Sequence, residues 1–218
     1  MGVTKANRPT GLDFVQGKTR FDIIVELLRE VGDDIASRDR IALATSFSHG
    51  ESAWVAETAW QAAHRGLHVK REASVGGVPR VDLEVAGTAV EFKSTFASWA
   101  LNPATATEWE KWLGADVDKL KAGKNPGVVV VTTAALTMGV AHQRQAFKVM
   151  YGDPAHGDLD PQQLLEEGVR AIDTVLRPRC AQVHRVDLHP GTVPLNGGSV
   201  FLTALVGAVN MQAVRAGA

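Results

Sequence analysis

Asp82, Glu91 and Lys93 are the side chains of this sequence whose types and spacing could do chemistry together. Arg80-Val81-Asp82-Leu83-Glu84-Val85 and Ala89-Val90-Glu91-Phe92-Lys93 read as strands. Between them, Ala86-Gly87-Thr88 suits a short hairpin turn. Strand side chains alternate between faces, so Arg80, Asp82 and Glu84 share one face of the first run, and Val81, Leu83 and Val85 the other. On the second run Ala89, Glu91 and Lys93 share a face, while Val90 and Phe92 turn to the core. The polar faces can meet across the pair, which places two carboxylates and an ammonium at one hairpin edge. Hard oxygen ligands beside an ammonium are what holding a divalent cation against a phosphate requires. The wet face of an ordinary hairpin carries the same pattern, so spacing alone leaves both readings open.

The flanking elements must position these groups. Residues 48–65, SHGESAWVAETAWQAAHR, read as a helix that Ser48 and Glu51 open as a capping box and Gly66 closes. At 100° per residue, Ala56, Ala59, Trp60, Ala63 and Leu67 form an apolar stripe. Glu57 falls at the edge of that stripe, and Glu51 points nearly away from it, which suits a cap. His68–Glu72 reads as a short strand. After the hairpin, Asp116–Lys121 is an amphipathic helical turn. Val128–Val131 with Thr132 and Thr133 is a strand buried on both faces. The order is helix, three strands, helix, strand.

Asp82 followed by Glu91-Phe92-Lys93 after a short hairpin, in that order of elements, resembles the PD-(D/E)XK nuclease superfamily over roughly residues 48–133. The motif's leading proline departs from the pattern: Pro79 lies three residues before Asp82. The resemblance implies an α/β fold with a restriction-endonuclease-like αβββαβ core, a mixed central sheet flanked by helices. Residues 1–47 (an arm and a helix) and 134–218 (a helix and strands) would be additions within a single domain of residues 1–218. It implies that Asp82, Glu91 and the Phe92 backbone carbonyl bind Mg²⁺, with Mn²⁺ able to substitute. Lys93 would orient the attacking water and stabilise developing charge. Glu57 matches the extra glutamate such folds carry on the preceding helix, to bind a second metal or position a water, with Glu51 the weaker candidate. Arg80 and Lys70 would touch nucleic-acid phosphates.

The implied activity is Mg²⁺-dependent endonucleolytic hydrolysis of DNA, of restriction type and acting as a homodimer. A Holliday-junction-resolvase-like or a defence or repair nuclease is the alternative within that class. A non-catalytic nucleic-acid-binding or structural protein of the same fold is the alternative outside it.

The remaining sequence bounds these readings. A net charge of −1 gives no global basic footprint for nucleic acid, which leaves a local cleft as the place to bind it. With 45% hydrophobic residues the chain can build a full core. The single cysteine, Cys180, excludes an internal disulfide and reads as a structural thiol. The polar start MGVTKANRPT and an apolar run, Val200–Val209, about half the length of a membrane helix point to a cytoplasmic protein without a membrane partner. Gly17-Lys18-Thr19 is no phosphate loop, because the upstream glycine of that motif would fall at Leu12.

Phe21–Val31 is an amphipathic helix, and Ile41–Ser46 either extends it or forms a strand. Residues 94–107, rich in Ser, Thr, Ala and Pro, read as a loop at the site's edge. Trp109 and Trp112 then open a helix as core residues. Asp153, His156, Asp158 and Asp160 could suggest a second metal site, but Asp160 reads better as the cap of a helix that starts at Pro161 and runs to about Leu176. Gln182–Leu188 and Ser199–Val206 read as strands. His49, His64 and His68 lack ligand spacing and read as surface residues.

Overall fold

The structure, a computed structural model, describes residues 16–46, 50–137, 160–193 and 198–209. Three helices come first: α1 (Arg20–Asp33), α2 (Ile35–Ser46) and α3 (Gly50–His64). The strands β1 (Val69–Val75), β2 (Val78–Val85) and β3 (Thr88–Phe96) follow, then α4 (Ala97–Leu101), α5 (Pro103–Lys121) and β4 (Gly127–Leu136). The chain continues with α6 (Pro161–Leu176), a 3₁₀ turn at Arg177–Arg179, β5 (Gln182–Asp187), β6 (Gly191–Val193) and β7 (Gly198–Ala208).

The strands form one mixed sheet in the order β1-β2-β3-β4-β7-β5, with β6 on β7. β3 and β4 run parallel, and the other pairs are antiparallel. A parallel pair needs a crossover, which α4 and α5 supply. Both hairpins are tight. Gly76 and Gly77 (φ 56° and 87°) join Val75 to its partner Val78, and Ala86 and Gly87 (φ 49° and 80°) join Val85 to Thr88. Two positive φ values in a two-residue loop match the right-handed twist of the strands.

Helices cover both sheet faces. On one side α1, α2 and α3 pack through Leu28, Ile41 and Trp54 against Leu83, Phe92 and Val130. On the other, α5 and α6 pack through Leu113, Leu120 and Ile172 against Ala89, Val129 and Val131. β4 lies between these cores with every residue buried, which is why four valines in succession suit it. The segments outside 48–133 are integral: β7 and β5 extend the sheet beyond β4, and α1 and α2 complete one core.

α1 is capped by Thr19 in a reciprocal box with Asp22, and α6 by Asp160, whose Oδ1 accepts from the amides of Gln162 (2.8 Å) and Gln163 (3.2 Å). Ile41–Ser46 belongs to a helix rather than a strand. Residues 94–107 are not a loop: β3 continues to Phe96 and two helices follow. Asn102 caps the second by accepting from the Ala104 amide at 2.9 Å, with Pro103 at the first helical position. Trp109 is core, but Trp112 is half-exposed.

The stripe expected on α3 is also displaced. Its buried residues include Trp54, Val55, Thr58, Gln61 and Ala62, while Trp60 is 61% exposed and stacks on His64. Thr58 and Gln61 carry no apolar signal, so hydrophobicity alone marked the wrong face. Ser48, His49 and the segment with Asp153, His156 and Asp158 lie outside the described residues. Among the described residues no helix is long and apolar enough to cross a membrane.

Candidate active site at the splayed end of the β2–β3 hairpin

Paired residues between β2 and β3 run from Val85↔Thr88 to Leu83↔Val90 and go no further. Beyond that point the Asp82 side chain enters the gap, and its Oδ2 accepts the Phe92 amide at 2.8 Å. A carboxylate thus satisfies a backbone donor of β3, which fixes Asp82 beside Glu91. On the β2 side the irregularity shows in the left-handed backbone of Arg80 (φ 43°) and a register shift in the β1 pairing between Ala73 and Val75.

Glu91 is buried and forms an ion pair with Lys119 of α5. Lys119 also donates to the Arg80 carbonyl at 2.7 Å. Burial pushes the Glu91 carboxyl up to about 7, and the charge of Asp82 adds to that rise while Lys119 opposes it. Two acids are therefore pressed together with only part of their charge offset.

Lys93 lies two residues on. Its Nζ is 3.2 Å from Asp116 Oδ2 of α5 and 3.8 Å from Glu51 Oε2 of α3. Burial alone would lower the lysine, but Glu51 and Asp116 outweigh it and its pKa stands raised. The group is an ammonium throughout the neutral range. Glu51 is itself raised, chiefly by burial, and its Oε2 accepts the Ser94 amide at 3.2 Å. α3 and α5 pack on opposite sheet faces, so the two acids reach Lys93 from both sides of β3.

Glu57 is not brought to this cluster. Its carboxylate makes a two-pronged pair with Arg40 of α2, at 2.6 Å to Nε and 2.7 Å to Nη2, and accepts from Ser37 Oγ at 2.8 Å. The Arg40 hydrogen bond, foremost, holds Glu57 below its ordinary value. The exchange of roles follows from the displaced stripe. Both glutamates lie one turn from the buried Trp54, but Glu57 is itself buried against Arg40 and Ser37 of α2, whereas Glu51, in the first turn and partly exposed, reaches Lys93 and the Ser94 amide of β3. Glu57→Gln is expected to cost about 1 kcal/mol of stability, by weakening the α2–α3 tie, without touching the Lys93 cluster. Glu51→Gln is expected to leave the melting temperature near that of the natural chain and impair any activity at the cluster. Thermal melts and activity of both variants check this, and the reverse pattern would refute it.

Arg80 is exposed and pairs with Glu72 at 3.5 Å, while Lys70 is exposed on the edge strand β1 opposite Glu84. Neither side chain joins the cluster. His68 lies 3.7 Å from Glu84. Cys180 is half-buried, and burial pushes its thiol up to about 11, too high for a reactive thiolate at neutral pH.

Sequence reasoning missed Asp116 and Lys119. They lie three apart on one face of α5, flanking the buried Val117 and Leu120, and that placement of charge beside an apolar stripe was the available signal. Among the described residues no group of three or more His, Cys, Asp and Glu side chains is arranged to hold a metal ion. Mg²⁺ commonly keeps several waters and needs only one or two carboxylates. Asp82 and Glu91 provide that many, and their crowded negative charge suits a hard divalent cation. Comparisons with family models, with curated proteins and with solved structures return no match to this chain.

Proposed function

We propose that this protein is a Mg²⁺-dependent endonuclease of the PD-(D/E)XK type that hydrolyses phosphodiester bonds in DNA. The observation that carries the reading is the pairing of Asp82 with Glu91 where β2 and β3 part, with the Lys93 ammonium near enough for the charge of Asp82 to act on it. Asp82, Glu91 and the Phe92 carbonyl would hold the cation, and Mn²⁺ would substitute for Mg²⁺. When bound, the metal supplies a water of lowered pKa and positive charge against the phosphate oxygens.

The chain's own residues do the rest. The Phe92 amide holds the Asp82 carboxylate in place. Lys93, kept protonated by Glu51 and Asp116, is no general base; it orients the attacking water and stabilises negative charge as it develops on phosphate. Glu51 takes the place that sequence gave to Glu57: it fixes the ammonium and can accept a hydrogen bond from the water. Lys119 tempers the charge of Glu91. Arg80, beside Lys119 at the mouth of the cluster, and Lys70 on the same hairpin are candidate phosphate contacts. Cutting both strands needs two such sites, which a homodimer of restriction type provides.

Calorimetric titration with Mn²⁺ tests the metal site. The natural chain is expected to bind Mn²⁺ at pH 8 and Asp82→Ala to lose that binding. Glu91 must give up a proton to serve as a ligand. With its carboxyl at about 7, affinity is expected to fall about tenfold between pH 8 and pH 6. Equal binding by Asp82→Ala, or an affinity flat from pH 6 to 8, would contradict this assignment.

A further inference from the structure

Beside the charged cluster lies a cavity of about 280 Å³ walled by Trp54, Phe96, Trp99 and Trp112 and by the threonines at 45 and 133. We infer that this cavity receives one unstacked nucleobase of the nucleic acid whose backbone lies on the cluster. The inference rests on the nuclease reading for its ligand and on separate residues for its evidence.

The cavity and the cluster share their walls. Gly50, Ser94 and Trp112 line the cavity, and they are the immediate neighbour of Glu51, the immediate neighbour of Lys93, and the residue one helical turn before Asp116. A phosphate at Lys93 therefore has this cavity within a nucleotide's reach. The cavity opens toward the carboxyl ends of the parallel strands β3 and β4, lined by residues 94–96 that end β3 and by their partners 132–134 on β4. In open α/β sheets the carboxyl ends of parallel strands are where ligands bind.

The wall chemistry is that of a base. Indole and phenyl rings offer faces for stacking, with Phe96 and Trp99 set edge to face at 5.9 Å. Ser94 and Thr132 also line the cavity, with their hydroxyl oxygens 2.5 Å apart. A hydroxyl both donates and accepts, so a base edge entering the cavity can exchange hydrogen bonds with this pair. Trp112 keeps about half its surface exposed at the rim, at the cost of an apolar face in water. A base held in a pocket must leave the stack, as in enzymes that turn nucleotides out of a duplex or act on single strands.

The test is fluorescence anisotropy with three labelled DNA probes: a short single strand of mixed sequence, its fully paired duplex, and the duplex with one central mismatch. Ca²⁺ replaces Mg²⁺ during binding. The natural chain is expected to prefer the single strand or the mismatched duplex over the paired one. Preference for the single strand or for the mismatched duplex tells whether the base comes from a free strand or is turned out of a helix. Trp112→Ala is expected to weaken the preferred probe about five- to a hundredfold.

Equal affinity of Trp112→Ala and the natural chain for the preferred probe would overturn the proposal, as would failure of all three probes to bind. Plasmid cleavage by the natural chain and by Lys93→Ala is read separately. Cleavage that needs Lys93 together with binding indifferent to Trp112 would sink the base pocket alone. Binding that needs Trp112 without any cleavage would sink the nuclease reading alone.

Discussion

Lys93→Ala is expected to slow Mg²⁺-dependent cleavage of supercoiled plasmid about a hundred- to a thousandfold, with the near-ultraviolet circular dichroism unchanged. The magnitude is that of removing one oriented donor from a site where negative charge develops. The ammonium's position depends on two acids from different layers, Asp116 at 3.2 Å and Glu51 at 3.8 Å. Lys119 cannot replace it, because its ammonium is engaged with Glu91 and the Arg80 carbonyl. The fold should survive, since Glu51 is already raised by burial and can take up a proton when its counter-charge is gone. Full activity in Lys93→Ala would remove Lys93 from the chemistry.

Glu91→Gln is expected to abolish cleavage and, in contrast to most changes at a buried charge, to stabilise the fold. The Glu91 carboxyl is raised from 4.5 to about 7, so its ionised form costs the folded state about 3 kcal/mol relative to the unfolded chain. Below about pH 4.5 the group is protonated in both states and the cost is absent. As pH rises from there to 7, the unfolded chain ionises first and stability is lost; above 7 the loss is complete. Glutamine carries none of it. Lys119 loses its counter-ion in the exchange, so the net gain at pH 8 is expected to be on the order of 1–2 kcal/mol, or about 2–8 °C in melting temperature for a domain of this size. The gain should vanish near pH 4. A variant less stable than the natural chain at pH 8 would show that Glu91 is a structural ion pair with Lys119 and not a carboxylate held under charge strain.

How far the sequence revealed these features depended on whether local pattern or tertiary placement decided them. The hairpin around Ala86 and Gly87 was legible because a tight turn and strand alternation are local rules, and Asp82, Glu91 and Lys93 fell where those rules put them. The four valines marked β4 as buried on both faces because only a strand inside a layered sheet tolerates such a run. Asp160 before Pro161 marked a helix start. Asn102 before Pro103 carried the same signal, but the Ser, Thr and Ala around it were read as loop composition.

The choice between Glu51 and Glu57 was not local. It turned on which neighbour each glutamate meets: Glu57 is buried with Thr58 and Gln61 and meets α2, while Glu51 in the first turn meets β3. In an alanine-rich helix, hydrophobic spacing is too weak to settle the orientation, and the partner helix α2, with Arg40 and Ser37, settles it instead. Asp116 and Lys119 escaped for the same reason. Their importance comes from α5 crossing over β3, a contact far apart in sequence that no short-range pattern marks. The parts of the cluster on the hairpin were readable from strand periodicity, and the parts contributed by helices were set by packing.

The most direct test of the central claim is incubation of the natural chain with supercoiled plasmid and with a branched DNA substrate, in Mg²⁺, in Mn²⁺ and in chelator. The account predicts cutting of at least one substrate with either metal and none in chelator. Intact substrates under both metals, or cutting that persists in chelator, would contradict it.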